Sequence, residues 1–163
     1  MKTRKIVLVS FFIALSFIGA NINVFQSIAF DSMAGFLGAL ILGPFYGAII
    51  GGLGHILTAA LRGFPYTIPV HLITMVSMSL TMFMFGATYK KANAYKPKTL
   101  LPYVLSFIVG TFLNGPVSLL LVSPLLGLPV VVAMMPVLTG VASLNIIIAL
   151  TVYKALPKKY RSM

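Results

Sequence analysis

Eleven of the twelve basic residues of this chain fall into three clusters that are separated by long apolar stretches. Twelve side chains are Lys or Arg, whereas only one is Asp or Glu. The clusters are Lys2, Arg4 and Lys5; Lys90, Lys91, Lys96 and Lys98; and Lys154, Lys158, Lys159 and Arg161. Because Lys and Arg beside membrane spans stay on the cytoplasmic side, we expect all three clusters there, with an even number of crossings between them. The pattern predicts a multi-pass membrane protein with cytoplasmic N and C termini.

The composition excludes a soluble globular protein. Hydrophobic residues make up 60% of the chain and charged residues only 8%, whereas about a quarter of the residues in a soluble domain are charged. The net charge of +11 does not indicate a nucleic-acid partner, because the cations flank apolar spans and are not interleaved with aromatic residues. Contact with anionic lipid headgroups accounts for them better. We interpret residues 1–163 as a single membrane domain.

Apolar length and helix-breaking residues divide the chain into six helices, since one crossing takes about 20 apolar residues. Residues 34–61 are too long for one span and contain the breakers Gly43-Pro44 and Gly51-Gly52. Reading them as one span would also move the middle basic cluster outward, against the positive-inside rule. The predicted helices cover residues 6–22, 33–49, 50–61, 70–89, 103–122 and 130–153, and residues 90–102 form a cytoplasmic loop. The predicted fold is an all-α membrane protein.

Four ionisable residues lie within or beside the predicted spans, where their burial is costly unless they face a cavity or a partner. They are Asp31, His55, Arg62 and His71. The predicted topology places Asp31, Arg62 and His71 at the outer surface. His55 lies about two helical turns deeper in the membrane. Their convergence would form an outward-facing polar pocket. In the alternative interpretation, Asp31 and Arg62 form an interfacial ion pair and each histidine binds a carbonyl.

Uncharged polar residues also occur deep in the predicted spans. Asn114 is the strongest candidate for a ligand contact among them. Pro116 beside it frees a backbone carbonyl in mid-helix that must be satisfied by protein or water. Thr139 and Ser143 share one face of the sixth helix. Serine and threonine in spans often bond only to their own helix, so a ligand contact is the less frequent outcome. The others are Thr74, Ser77, Thr81, Ser118 and Asn145.

No arrangement of residues typical of an enzyme occurs in the sequence. One carboxylate cannot supply an acid and base pair, there is no cysteine, and the histidines have no carboxylate other than Asp31 beside which to hold zinc. A phosphate-binding P-loop is absent too, so the chain cannot hydrolyse ATP itself. We therefore expect no enzyme activity, no metal and no cofactor. A transport function would need a partner or a gradient as its source of energy.

The sequence resembles a known group of membrane proteins. Six helices, a polar first outer loop and Gly-rich second and third helices resemble the S component, the substrate-specific subunit, of an energy-coupling factor (ECF) vitamin transporter. The resemblance covers nearly the whole chain. The segments 30–40 (FDSMAGFLGAL), 42–55, 63–65 (GFP) and 69–72 (PVHL) are similar to S components assigned to alpha-ribazole, a cobalamin precursor.

The resemblance implies a division of labour between subunits. The S component binds a vitamin or precursor at its outer side and docks on a transmembrane T component, which is coupled to two ABC ATPases. In the family, the first helix carries an Ala-x-x-x-Ala docking surface. Here Ala14 is followed four residues later by Ile18, whereas Ser16 and Ala20 form a small pair at that spacing. The docking residues are therefore expected among Ala14, Ser16 and Ala20.

For the substrate, alpha-ribazole is the first expectation. Its aromatic base would stack on Phe25, Phe64 or Tyr66, and its ribose would bond to polar residues around the pocket. The predicted substrate-binding residues are Asn23, Asp31, His55, Arg62, Tyr66, His71, Asn114 and Thr139. Pantothenate or another vitamin stays open, since a carboxylate would suit Arg62. A small channel outside the ECF group and a structural subunit without a ligand also stay open.

Overall fold

Helices form almost all of the protein in a computed structural model that describes the backbone of residues 2–21, 23–25 and 28–161, and the side chains of residues 3–21 and 30–161. The helices are α1 Lys2–Ala20, α2 Ser32–Ile41, α3 Pro44–Leu61, α4 Ile68–Tyr95, α5 Leu101–Phe112, α6 Ser118–Leu126 and α7 Leu128–Ala155. A π-helical segment, Leu113–Val117, joins α5 to α6. A short antiparallel hairpin of β1 Asn23–Phe25 and β2 Ile28–Ala29 precedes α2, and a 3₁₀ turn, Lys158–Tyr160, follows α7. The predicted helical membrane fold is confirmed.

Five helical units in the described residues are long and apolar enough to cross a membrane: α1, α3, α4, the combined unit Leu101–Leu126, and α7. The sixth predicted segment, α2, has only ten residues, or about 15 Å of helix, which is half of a bilayer core. Nearly all of its residues are buried against neighbouring helices. Protein rather than lipid therefore surrounds α2.

The boundary between α2 and α3 lies at Gly43 and Pro44, so the predicted boundary between residues 49 and 50 is wrong. Gly43 has φ = +103°, a conformation that side chains rarely allow, and Pro44 occupies the first turn of α3, where its missing N–H costs nothing. Gly51 lies inside α3 instead. A Cβ atom there would lie 2.6 Å from Cγ of Met82, so this glycine lets α4 approach closely.

Other helices extend beyond their predicted ends. α4 continues to Tyr95, which places the first two lysines of the middle basic cluster on helix rather than in the predicted loop 90–102. α6 continues past residue 122 to Leu126, and the turn lies at Gly127 with φ = +82°. α1 ends at Ala20; the predicted last residue of that helix, Ile22, lies outside the described residues. Basic residues and prolines indicated where the loops lie, but they did not determine the residue at which each helix ends.

The three basic clusters lie at one end of the helix bundle. Lys5 at the start of α1 lies 5.2 Å from the ring of Tyr46 at the start of α3. Tyr89 near the end of α4 packs edge to face against Tyr103 in α5 and Tyr153 in α7, with ring centroids 5.4 and 5.5 Å apart. The start of α3 in turn lies beside α4 at Gly86. This arrangement agrees with an even number of helices between successive clusters; their cytoplasmic placement stays a prediction.

Candidate functional site

A cavity lies toward the opposite end of the bundle from the basic clusters. Its volume of about 80 Å³ exceeds the roughly 10–15 Å³ that one water molecule needs by the same kind of measure. Polar residues line one part and apolar residues the other. The lining residues are Asp31, Ser32, His55, Tyr66, Val70, His71, Thr74, Met78, Asn114, Ser118, Leu119, Val122, Leu126, Met134, Leu138, Val141 and Ala142. The cavity therefore brings together five of the eight predicted substrate-binding residues.

Asp31, His55 and His71 form a continuous buried row, which we call the polar array. Oδ2 of Asp31 lies 3.7 Å from Nδ1 of His55, and Nε2 of His55 lies 3.2 Å from Nδ1 of His71. Nε2 of His71 is 2.7 Å from the carbonyl oxygen of Pro65. The contacts link the N-terminal end of α2 to α3, α4 and the loop before α4.

The Asp31 carboxylate does not cap α2, the helix that follows it. Asp31 is the N-cap residue of α2, yet its side chain accepts no capping hydrogen bond. Its Oδ2 atom is buried and has no hydrogen-bond partner among the described residues. Its backbone carbonyl accepts a hydrogen bond of 2.8 Å from the hydroxyl of Ser16. A buried acceptor without a hydrogen bond is costly. A hydrogen bond donated by a ligand to this oxygen would remove that cost.

Asn114 reaches the cavity from the π-helical segment. Pro116 lies inside this segment and cannot donate to the helical ladder, which is the physical reason for a local change in hydrogen bonding. Asn114 is 6% exposed, and no side-chain hydrogen bond to it occurs among the described residues. Its amide can both donate to and accept from a ligand. The π-helical segment lies where the sequence places Pro116 inside a helix; a role of Asn114 in binding stays a prediction.

The apolar part of the cavity comes from α6 and α7. Val122 and Leu126 line it from α6, and Met134 and Leu138 line it from α7. The hydroxyl of Tyr66 lies 3.6 Å from the Met134 sulfur, at the rim formed by the loop before α4. Partial burial raises the pKa of the Tyr66 hydroxyl above its usual value, so it stays protonated.

The loop that carries Tyr66 has an unusual backbone. Phe64 has φ = +52° and Tyr66 has φ = +73°, values that are uncommon for residues with side chains and occur at ligand-binding loops. The Phe64 ring packs edge to face on His71, with centroids 5.8 Å apart. The loop therefore holds Phe64 against the polar array and Tyr66 against the apolar wall. Stacking of either ring on a ligand stays a prediction.

Two predicted substrate-binding residues, Arg62 and Thr139, do not line the cavity in the described structure. Arg62 donates a 2.7 Å hydrogen bond from Nη2 to the carbonyl of Ala20. Asp31 contacts His55 and not Arg62, so the predicted Asp31–Arg62 ion pair is wrong. Thr139 packs on Gly115, where an added Cβ would lie 2.8 Å from its Oγ1. The side chain of Asn23, like that of Phe25, lies outside the described residues.

Replacing Arg62 with alanine is expected to lower stability by about 1 kcal/mol and to change substrate affinity by less than about threefold. The arginine binds the free carbonyl at the end of α1, a favourable place for a cation, but it does not line the cavity. Thermal unfolding and ligand titration of the purified variant measure the two effects. A hundredfold loss of affinity with unchanged stability would place Arg62 in the binding site.

The predicted docking residues divide between the two faces of α1. Ser16 and Ala20 are each 1% exposed, and a Cβ added at Gly54 of α3 would lie 2.9 Å from the Ser16 Cβ. The small pair therefore packs within this chain, and the expectation that it forms an exposed surface is wrong. Ala14 is exposed. It shares the outer face of α1 with Val7, Phe11 and Ile18, which are about 60% exposed.

Sequence reasoning missed the apolar lining of the cavity. Met134, Leu138 and Val141 recur at spacings that share one face of α7, but lipid-facing stripes of a membrane helix look the same. No group of three or more metal-binding side chains that could hold an ion occurs in residues 2–21, 23–25 and 28–161. The site therefore offers hydrogen bonds and apolar contact to a small molecule.

Comparison with known proteins identifies the family. The family described as ECF transporter, substrate-specific component, matches residues 4–157. No curated protein and no solved structure matches the chain. The match covers the whole cavity and all seven helices except the first two residues of α1, and it agrees with the apolar, multi-pass helical fold. The chain therefore belongs to the substrate-specific components of ECF transporters.

Proposed function

We propose that this protein captures alpha-ribazole for import across the cytoplasmic membrane. Members of its family are substrate-binding membrane subunits rather than enzymes, and they work with an ECF T component and ATPases. The chemistry of the cavity supports this substrate. Alpha-ribazole combines an apolar, methylated aromatic base with a sugar that carries several hydroxyl groups. It therefore needs an apolar wall and a set of hydrogen-bonding groups in one site.

The observation that carries this proposal is the division of the cavity into two parts. On one side, the Asp31 carboxylate and the Asn114 amide have hydrogen-bonding capacity that the described residues leave unused. On the other side, Val122, Met134 and Leu138 form an apolar lining. Sites for small molecules typically combine a mostly apolar lining with a few convergent polar groups. The sugar would bind the polar part and the base the apolar part.

Pantothenate fits this arrangement less well. Its carboxylate would need a cation, and Arg62 is bound to the end of α1 outside the cavity. A carboxylate placed beside Asp31 would meet a second acceptor instead of a donor. We therefore place alpha-ribazole ahead of the anionic vitamins.

Calorimetric titration of the purified protein with alpha-ribazole, cobalamin and pantothenate tests the proposal. We expect saturable binding of alpha-ribazole and no saturable binding of pantothenate. Preference for another vitamin would retain the transporter family and replace the proposed substrate. Uptake into proteoliposomes is expected only when the T component and the ATPases are also present.

Replacing Asn114 with alanine is expected to lower affinity for alpha-ribazole about tenfold, because one or two hydrogen bonds to a buried amide are lost. The folded protein should persist, since no described side-chain hydrogen bond depends on Asn114. Calorimetry gives the affinity, and size-exclusion chromatography in detergent reports folding.

Asn145 provides a matched control for that substitution. It is also a buried asparagine, but its Oδ1 accepts a 2.9 Å hydrogen bond from the backbone N–H of Met33, and its Nδ2 donates to the carbonyl of Val141. Asn145→Ala should therefore destabilise the contact between α2 and α7. If Asn114→Ala instead unfolds the protein, or leaves affinity unchanged, Asn114 is not a binding residue.

For coupling to the energising subunits, we propose that α1 docks through its outer face. That face contains Ala14 with the exposed Val7, Phe11 and Ile18. The inner face is already filled by α3, because Ser16 and Ala20 are buried. Docking through this face would leave the cavity free for the substrate, since no described residue of α1 lines it.

A further inference from the structure

The cap of α2 comes from another helix and not from Asp31, the residue at its N-terminal end. Asp31 has φ = −71° and ψ = −32°, which are helical values, whereas a capping side chain normally lies on an extended backbone. The backbone N–H of Met33, the second residue of α2, instead donates a 2.9 Å hydrogen bond to Oδ1 of Asn145 in α7. An N–H group at this position has no partner within its own helix. Because Asn145 satisfies it, the Asp31 carboxyl group is not needed as a cap and lines the cavity.

Ser16 of α1 holds the backbone of Asp31 itself. Its buried hydroxyl donates the 2.8 Å hydrogen bond to the Asp31 carbonyl oxygen. Two glycines leave room for this contact. A Cβ atom at Gly54 would clash with Oγ of Ser16, and one at Gly19 would clash with the carbonyl oxygen of Phe30. The inner face of α1 therefore packs directly on the backbone at the start of α2.

We infer that Ser16 is a positioning residue for substrate binding, which holds the Asp31 backbone so that the Asp31 carboxyl group stays in the cavity. Only χ1 and χ2 separate that carboxyl group from the backbone, so a displaced backbone displaces it directly. Contact groups in a binding site must be held to within about 0.5 Å by their supporting residues. Ser16 does not line the cavity and thus acts through Asp31. The inference rests on the proposed contact between Asp31 and a ligand.

A double-mutant cycle separates this role from simple packing of α1. In the native chain, Ser16→Ala should lower affinity for alpha-ribazole about tenfold, since Asp31 loses the bond that holds it. In an Asp31→Ala chain, the same substitution should change affinity by less than about twofold, because the positioned group is absent. Calorimetry at high ligand concentration measures the weaker affinities. No loss in the native chain, or an equal loss in both backgrounds, would overturn the inference.

Ser106→Ala is the matched control. Ser106 is also a buried serine, and its hydroxyl donates a 2.6 Å hydrogen bond to the carbonyl of Pro102 within α5. It does not line the cavity. We expect Ser106→Ala to keep native affinity, although the midpoint of thermal unfolding should fall about as much as in Ser16→Ala. The same loss of affinity in both variants would reduce Ser16 to a packing residue.

The composition of the chain allows a second test that needs no ligand. Asp31 is the only acidic residue, so ¹³C-aspartate supplied in cell-free synthesis reports one side-chain carboxyl group. The sample is the full chain in lipid nanodiscs, with an affinity tag that contains no aspartate. We expect one narrow carboxyl signal in the native chain and in Ser106→Ala, and a shifted or broadened signal in Ser16→Ala. A native signal in Ser16→Ala would overturn the inference.

The two tests also distinguish failure of the inference from failure of the proposed substrate. If alpha-ribazole does not bind the native chain while Ser16→Ala alters the carboxyl signal, the proposed substrate is rejected and the positioning of Asp31 by Ser16 stands. If Ser16→Ala does not fold, Ser16→Cys, which retains a weak donor, takes its place in both measurements.

Discussion

Replacing Gly47 with alanine is expected to destabilise the protein by about 2 kcal/mol or more and to abolish substrate binding. A Cβ atom at this position in α3 would lie 2.7 Å from Cα and 3.0 Å from the backbone nitrogen of Ala39 in α2. Backbone atoms cannot rotate away as a flexible side chain can, so the two helices must separate. α2 carries Asp31 at its N-terminal end, and its displacement would disturb the polar array. The expected fall in the midpoint of thermal unfolding is about 5 °C or more.

Gly140→Ala is the control for this substitution. Gly140 lies in α7, and a Cβ atom there would meet nothing within 4 Å. Alanine is favoured over glycine inside a helix by about 0.5–1 kcal/mol, so this variant should be as stable as the native protein or more so. Thermal unfolding in detergent and titration with alpha-ribazole compare the two. Equal stability of both variants would show that α2 and α3 do not pack as closely as described.

The sequence predicted the helical membrane fold because charge and apolar length respond directly to the bilayer. The basic clusters required an even number of helices between them, which separated α2 from α3 before any contact was known. Only contacts distinguished the roles of the two glycine pairs. Gly43-Pro44 has the backbone geometry of a break, whereas Gly51-Gly52 makes room for α4. Local composition does not separate these cases.

The polar part of the site was predictable because buried ionisable groups are rare in membrane proteins and need a reason. Asp31, His55 and His71 were named together on that ground and lie together in the structure. Their pairing was not predictable, since the rotation of each helix about its own axis decides which side chains meet. Arg62 shows the difference: it donates a hydrogen bond to the carbonyl of Ala20 in α1 and does not meet Asp31.

The face that a helix presents to its neighbours was harder to infer than its extent. Small residues allow close packing both inside a subunit and between subunits. Ser16 and Ala20 had the spacing of a docking surface but pack inside, where Ser16 bonds to the backbone of Asp31. For the same reason, the apolar residues of α7 that line the cavity could not be told from lipid-facing residues. Both were resolved by tertiary contacts and not by residue type.

Replacing Asp31 with alanine is expected to lower affinity for alpha-ribazole about 100-fold while leaving thermal stability unchanged or raised. A hydrogen bond to a charged group contributes about 1.5–3 kcal/mol, which corresponds to roughly 10- to 150-fold in affinity. Oδ2 of Asp31 is, however, buried without a described hydrogen-bond partner, and the side chain does not cap α2. Its removal therefore ends an unfavourable burial, and the backbone bond to Ser16 is retained. This pair of results would show that stability is given up at this position for binding.

Thr111→Val is the control for Asp31→Ala. It separates a loss of ligand binding from a general effect of removing a buried polar atom. The Thr111 hydroxyl is the other buried side-chain atom without a hydrogen-bond partner among the described residues, but Thr111 does not line the cavity. Valine has nearly the same shape, so this variant should be equally stable or more stable and should bind alpha-ribazole with native affinity. Thermal unfolding and calorimetry on both variants test the contrast. Native affinity in Asp31→Ala, or the same loss of affinity in both variants, would exclude the Asp31 carboxylate as a ligand contact, because Asp31 lines the cavity and Thr111 does not.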